Sequence, residues 1–281
     1  MNGKAQMIVE GAEIPSVPYV LQEILALASD PGSSGCQLEE KIQTEPGLVS
    51  HLLKTVNSGY HSLPRKVTSI RHAIALLGFT TVKSIASGLA LIDAFNNLSS
   101  LNRQYVLTIW NQSLTSAGLT KVLAGSRPRD KQDELFLAAM IHNVGHLVLA
   151  EYYESEYAAL TKTDPFPSVE EERECFGVDH AEVGAAMLEA WQFADEVTHL
   201  VESHHEHGSF EGDETDILCL GVCESLPRTI ENLARFLEKS ETEVDVDILE
   251  MLSKLNWQWE DLQRNEGLIS RSIETTQQIM C

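Results

Sequence analysis

The chain has 281 residues, 43% of them hydrophobic and 22% charged, which is enough apolar material for a packed core and excludes wholesale disorder. Lys and Arg number 20 against 42 Asp and Glu, a formal charge of −22, so the surface repels phosphate backbones and anionic lipid; direct nucleic-acid or membrane binding is not expected. The five cysteines are odd in number, irregularly spaced and without a CxxC pair, which argues against a disulfide framework and fits a reducing cytoplasm.

Residues 1–13 read as a flexible tail, with no apolar stretch long enough for a secretory signal. From Ile14 the spacing turns helical. "PSVPYVLQEILALASDPG" places Val17, Val20, Leu21, Ile24, Leu25, Leu27 and Ala28 on one broad stripe. "CQLEEKIQTEPGLVSHLLKTVNSGY" predicts two helices divided at Glu45-Pro46, with Pro46 suited to a first turn. "SIRHAIALLGFTTVKSIASGLALIDAF" predicts a helix, a turn at Gly78, and a second helix capped by Thr80 or Thr81. The segment "NRQYVLTIWNQSLTSAGLTKVLAG" is helical to Gly125. "ELFLAAMIHNVGHLVLAEYY" is almost wholly apolar and therefore buried, though its longest unbroken apolar run, "LFLAAMI", is seven residues, short of a membrane span. "VEEERECFG", "DHAEVGAAMLEAWQF" (capped by Asp179) and "ADEVTHLVESHHE" follow as helices, and "ILCLGVCESLPRTIENLARFLEKS" and "DVDILEMLSKLNWQWEDLQRNEG" add amphipathic ones. Cys219 and Cys223, four apart, read as buried thiols on one helix face. Trp257 and Trp259, two apart, cannot share a helix face, so one is expected in the core. No strand pattern or repeat is present, and the fold class is all-α. No GxGxxG, Walker A or GxSxG motif occurs.

Three separated stretches together carry a family resemblance. "IPSVPYVLQEILALASDPGSSGCQLEEKIQTEPGLVSHLLKTVNSGYHSLPRKVTSIRHAIALLGF" resembles the opening of the HDOD family. "MIHNVGHLVLAEYY" resembles its "HDIGKLVL"-like segment, and "DHAEVGAAMLEAWQF" followed by "ESHHE" resembles its next two helices. The match spans residues 14–207. The division it implies is an HDOD domain over 14–208, with an N-terminal helical half of about 14–100 and an HD-like half of about 101–208. A helical C-terminal extension over 209–281 packs on or beside it. The resemblance implies an all-helical bacterial signalling module related to the HD phosphohydrolases, generally without full metal-dependent activity.

HD hydrolases resemble one another in a ligand set of an early His, the adjacent His-Asp, further His residues and a late Asp. Carried over by position, the early His falls on Gln112, the His-Asp pair on His142 and Asn143, and the late Asp on Val222 or Cys223. The Lys that often follows the pair falls on His146. Two divalent ions held close together need anionic oxygen to offset their charge, so this set argues against a two-metal hydrolase. His142, Asn143, His180, His204 and His205 remain as a candidate degenerate metal site, with Gln112 at an expected ligand position. Three or four imidazoles suffice for one Zn, Ni, Fe or Mn ion; the alternative is a set of relic histidines with no cofactor. Adjacent residues on a helix point about 100° apart, so only one of His204 and His205 is expected to ligate.

In "NSGYHSLPRKVTSI", Asn57, Tyr60, His61, Arg65 and Lys66 form a candidate partner or ligand surface, against the alternative of a structured turn. The expected function is a non-catalytic signalling or scaffolding module acting through other signalling proteins or a small anionic ligand. The alternative is a metal-dependent phosphohydrolase acting on nucleotides or cyclic dinucleotides.

Overall fold

The structure, a computed structural model, describes residues 3–28, 32–59, 66–96, 101–206, 215–226 and 230–277. Among them every element is an α-helix or a short 3-10 turn, and no strand occurs. Helix α1 (Gly3–Gly11) opens the chain. The first group that follows is α2 (Tyr19–Ala28), α3 (Gly35–Gln43), α4 (Pro46–Gly59), α5 (Ile70–Leu77) and α6 (Phe79–Asn96), in which α2 and α4 pack on α6 and α5 bridges α3 and α6. The second group is α7 (Arg103–Leu123), α8 (Arg129–Ile141), α9 (Val144–Leu160), α10 (Val169–Phe176), α11 (His180–Ala190) and α12 (Asp195–Ser203). Here α8 packs on α7, α6 and α12, and α11 packs on α9 and α12. The chain closes with α13 (Thr215–Ser225), α14 (Ile230–Leu237), α15 (Val246–Lys254), α16 (Trp259–Arg264) and α17 (Glu266–Gln277).

Local chemistry sets many of these boundaries. Ser34 with Gln37, Ser168 with Glu171, and Asp179 with Glu182 form capping boxes at α3, α10 and α11, and the Asn102 side chain accepts the Gln104 and Tyr105 amides at α7. Pro46 is the first residue of α4, where a missing N–H costs nothing. The turn at Gly78 is present with φ +94°, a conformation that favours glycine. Neither threonine caps the next helix, however, because α6 begins at Phe79. Thr81 is buried instead, its hydroxyl 2.9 Å from the Asp133 carboxylate and 3.0 Å from the Leu77 carbonyl. Arg129 donates to the same carbonyl at 3.0 Å, so the start of α8 is tied to the α5–α6 turn.

The N-terminus corrects the sequence reading. Residues 1–13 were expected to be a loose tail, yet Gly3–Gly11 is helical and Ala5, Ile8 and Val9 are buried, with α1 lying on α9 and α11. Their i, i+3, i+4 spacing gives even this short segment one apolar face, and covering it contributes about 25 cal/mol per Å². At the other end, α17 lies along α7 and reaches α4, while α13 packs on α7, α8, α12 and α15. The crossing of α7 and α17 is close: a Cβ on Gly118 would stand 2.6 Å from the Ile273 Cα. Trp259 is buried with its indole N–H donating to the Lys239 carbonyl at 3.0 Å, and Trp257 is half-buried. Cys219 and Cys223 are buried free thiols.

Arg129–Leu160 contains an 18-residue stretch apolar enough to cross a membrane by length and composition, but it is two helices, and 89% of that stretch is buried inside the fold. The apolar character is that of a core. In the candidate partner surface, Tyr60, His61 and Arg65 lie outside the described residues. Lys66 is exposed. Asn57 turns inward: its amide donates to the Leu53 and Val67 carbonyls and its oxygen accepts the Val67 N–H, all at 2.7 Å.

Candidate functional site

Seven helices, α7 to α13, converge on a row of imidazoles. His142 and Asn143 occupy the break between α8 and α9, His146 the first turn of α9, and His180 the first position of α11. His204 and His205 follow the last turn of α12. Successive rings touch: His146 stacks on His180 with centroids 3.8 Å apart, His180 and His205 lie 4.9 Å apart, His205 and His204 4.1 Å, and His204 and His142 5.0 Å. The stack depends on Gly145, where a side chain would run into the backbone of α11 at His180 and Gly184. All of these histidines are buried except His205, which is half-buried.

A carboxylate closes each end of the row. At one end Glu172 of α10, fully buried, accepts from the Tyr157 hydroxyl (2.7 Å), the His180 ring Nδ1 (2.7 Å) and the His180 backbone N–H (2.7 Å); His146 Nδ1 lies 3.0 Å away. Its position at the N-terminus of α11 also suits an anion. At the other end one oxygen of Glu224, from α13, lies 2.5 Å from His142 Nε2, 2.6 Å from Gln112 Nε2 and 3.3 Å from the Ser116 hydroxyl. Gln112 in turn accepts a hydrogen bond from the Asn143 amide.

The hydrogen bonds fix the tautomers. His142 Nδ1 faces the Ala139 carbonyl at 2.8 Å, His204 Nδ1 the Val201 carbonyl at 2.6 Å, and His180 Nδ1 the Glu172 carboxylate. Each partner is only an acceptor, so each Nδ1 carries a proton. His142 Nε2 is taken up by Glu224, and the Nε2 atoms of the other rings face one another: His180 Nε2 is 2.9 Å from His205 Nε2 and 3.4 Å from His204 Nε2. Converging lone pairs require protons or a cation between them. Tetrahedral Zn–N bonds of about 2.0–2.1 Å place neighbouring nitrogens roughly 3.3 Å apart, so the three imidazoles fit one ion, with Glu172 and the Val201 carbonyl as their outer partners. His180, His204 and His205 form one group able to hold a metal, and His146, Glu172 and His180 another; in the second, His180 is already bonded to Glu172, and His146 reaches it through the Tyr157 hydroxyl.

Electrostatics divide the row unequally. Burial pushes Glu172 up, but His180 and His146 pull it further down, well below the usual carboxylate range. Glu224 is likewise held low, burial being outweighed by His142 and the neighbouring imidazoles. Burial pushes His180 down, but Glu172 outweighs it and raises the imidazole above its ordinary value. Burial and the charged His180 lower His146 to about 4, and burial with the surrounding rings holds His204 well below its ordinary value.

The sign of the pH dependence follows for metal-free protein. Below about pH 6.5 the unfolded chain protonates His146 and His204 while the folded chain resists, so stability falls as pH drops towards 4. His180 acts in the opposite sense: its contribution is complete below the unfolded value and is lost as pH rises through the folded one. The low Glu172 and Glu224 add stability that disappears only below their unfolded values near 4.5. The melting temperature of chelator-treated protein is expected to peak near neutrality and fall on acidification. A flat melting profile from about pH 6.5 to 4.5 would contradict the buried neutral imidazoles.

A sequence model of the HDOD domain matches residues 14–207. The chain belongs to the HDOD family. A solved structure described as a candidate phosphohydrolase, from Shewanella amazonensis SB2B, superposes on this HDOD chain with a TM-score of 0.75 at 18% identity, covering 99% of this chain and 98% of that one. An HDOD domain protein of unknown function from Geobacter sulfurreducens gives 0.70 at 20% identity, covering 96% of each chain. At these identities the likeness is one of fold. A Treponema pallidum (strain Nichols) protein is 22% identical over 197 residues, which are 69% of this chain and 38% of that protein. The match to Bacillus subtilis YuxH likewise covers 35% of that protein, so the chain spans well under half the length of these curated relatives.

The structure brings Gln112, His142, Asn143, His180, His204 and His205 of this HDOD chain into one buried cluster and alters two readings of it. The late acidic position was assigned to Val222 or Cys223 and counted as lost. Both are core residues, and the carboxylate comes from Glu224, one residue on. The 100° argument against using both His204 and His205 does not apply, because α12 ends at Ser203 and both rings lie past the helix. Glu172, Tyr157 and Glu224 were not singled out. Glu172 shares a helix face with Val169 and Phe176, and Glu224 is the one acid among the apolar residues of "ILCLGVCES"; these were the available signals.

Proposed function

We propose that this HDOD chain is a non-catalytic signalling module whose histidine cluster holds one divalent ion as a structural centre, and which acts by binding another cytoplasmic signalling protein or a small anion. The observation that carries the reading is the convergence of His180, His204 and His205 Nε2 atoms, two of whose rings are oriented by outward hydrogen bonds. The pairing of Asn143 with Gln112 supports a single ion. At the positions where the resemblance implies ligands for a second ion, two amides satisfy each other and Glu224 instead. Burial of the surrounding side chains favours structure over turnover of a bulky phosphoester. The charge of −22 favours a protein partner over nucleic acid or membrane.

A second reading, a metal-dependent phosphohydrolase, draws its support from Glu224 and Glu172, which bring anionic oxygen back to the cluster. One experiment separates them. Untagged protein loaded with Zn²⁺, Ni²⁺, Fe²⁺ or Mn²⁺ is expected to retain about one ion per chain, to melt higher, and to lose the ion in His204→Ala and His205→Ala variants. No phosphate release from nucleotides or cyclic dinucleotides is expected. Absence of any retained metal removes the proposed centre, and release that disappears in Glu224→Gln establishes the hydrolase.

A further inference from the structure

Away from the histidine cluster, a cleft of about 350 Å³ lies between α2, α6, α8 and the turn that joins α11 to α12. That volume is in the range that holds a small ligand. One wall is apolar, built from Leu25, Leu137, Phe193 and Val197. The other is α6, which presents Lys83 and, one turn on, Ser87. Ser87 is 1% exposed, and its hydroxyl has no hydrogen-bond partner among the described residues. A buried hydroxyl without a partner is costly, and one that lines a cleft marks a place where a ligand atom restores what folding leaves unmade.

Two further features point to the same ligand chemistry. Lys83 is half-buried, and burial lowers its pKa. The acids nearest to it are engaged elsewhere, Glu134 with Lys131 at 2.7 Å and Asp133 with Thr81. Across the cleft, α12 begins after Ala194, whose side chain offers no cap, so the first-turn N–H groups at Asp195 and Glu196 have no side-chain acceptor. Glu134 and Asp195 also line the cleft and limit how much negative charge it accepts. A monoanion gains from Lys83 and the helix terminus, whereas the second charge of a phosphate dianion would meet two carboxylates.

We propose that this cleft binds a small monocarboxylate with an apolar tail, the carboxylate held by Lys83, Ser87 and the open start of α12, and the tail lying on Leu25, Leu137 and Phe193. The inference does not depend on the metal centre. It gives α12 a ligand at its first turn and two cluster imidazoles just past its last.

Calorimetric titration of the full chain with isovalerate, leucine and inorganic phosphate tests it, using wild type, Lys83→Met and Ser87→Ala. Isovalerate or leucine is expected to bind, with affinity reduced about tenfold or more in Lys83→Met and several-fold in Ser87→Ala. Ser87→Ala is expected to melt no lower than wild type without ligand, since the hydroxyl it removes is unpaired. Tighter binding of leucine identifies an α-amino acid as the preferred class, and tighter binding of isovalerate a simple carboxylate; either supports the site. Binding of neither carboxylate, binding unchanged in both variants, or tighter binding of phosphate overturns the proposal.

Discussion

Replacing Glu172 with alanine is expected to lower the free energy of unfolding by about 3–5 kcal/mol, the range found when one partner of a buried ion pair is removed. The carboxylate is fully buried and accepts from Tyr157, from His180 through both ring and backbone, and lies within reach of His146. Its removal strands a charged imidazole and several donors away from water. Glu172→Gln preserves the volume but turns an NH₂ towards groups that are themselves donors, so it is expected to recover only part of the loss. Urea unfolding at neutral pH measures both, and a Glu172→Ala variant within about 1 kcal/mol of wild type would refute the buried pair. The substitution also removes the outer partner of His180. Metal affinity is therefore expected to fall by about ten- to hundredfold in the fraction that still folds.

The second large effect is expected at Gly145. A Cβ there would overlap the His180 carbonyl oxygen and stand 2.7 Å from its carbon and 2.8 Å from the Gly184 nitrogen. These are backbone atoms of α11, so no rotamer change relieves the contact; α9 and α11 must move apart. Gly145→Ala is expected to cost about 3 kcal/mol or more and to break the stack of His146 on His180. Gly47, a helical position with open space around it, provides the control: Gly47→Ala is expected to be neutral or to stabilise by up to about 1 kcal/mol. Thermal melting of the pair tests the contrast, and equal stabilities would show that α9 and α11 are not in close contact.

Much of the helical order was legible because apolar residues recur at helical spacing and because Ser, Asp, Asn and Pro stand where caps and first turns need them. Pro46 and Asp179 illustrate this. The histidines were legible as a group only through the family pattern, since no local property of "ESHHE" or "DHAEV" says that the two meet. What escaped is instructive in each case. Glu172 sits among other glutamates in "VEEERE", and only its register with Phe176 separates it from the solvated ones. Glu224 escaped because the carried-over position was one or two residues early, and a one-residue slip on a helix rotates the side chain by about 100°. Thr81 was read as a cap from residue type alone, whereas its role depends on Asp133, 52 residues away. Helix α1 was missed because three core-facing residues in nine make a weak pattern whose value depends on the groove between α9 and α11 that receives them.

The inward turn of Asn57 ties two parts of the chain to one side chain. With three bonds from one amide, the end of α4 and the backbone of Val67 are fastened at a single point, so the two ends of the segment between them are held together. The entropy of bringing its ends together is already spent within the folded domain. Asn57→Ala releases both points at once, so the cost of that one substitution falls on the end of α4 and on the approach to α5 together.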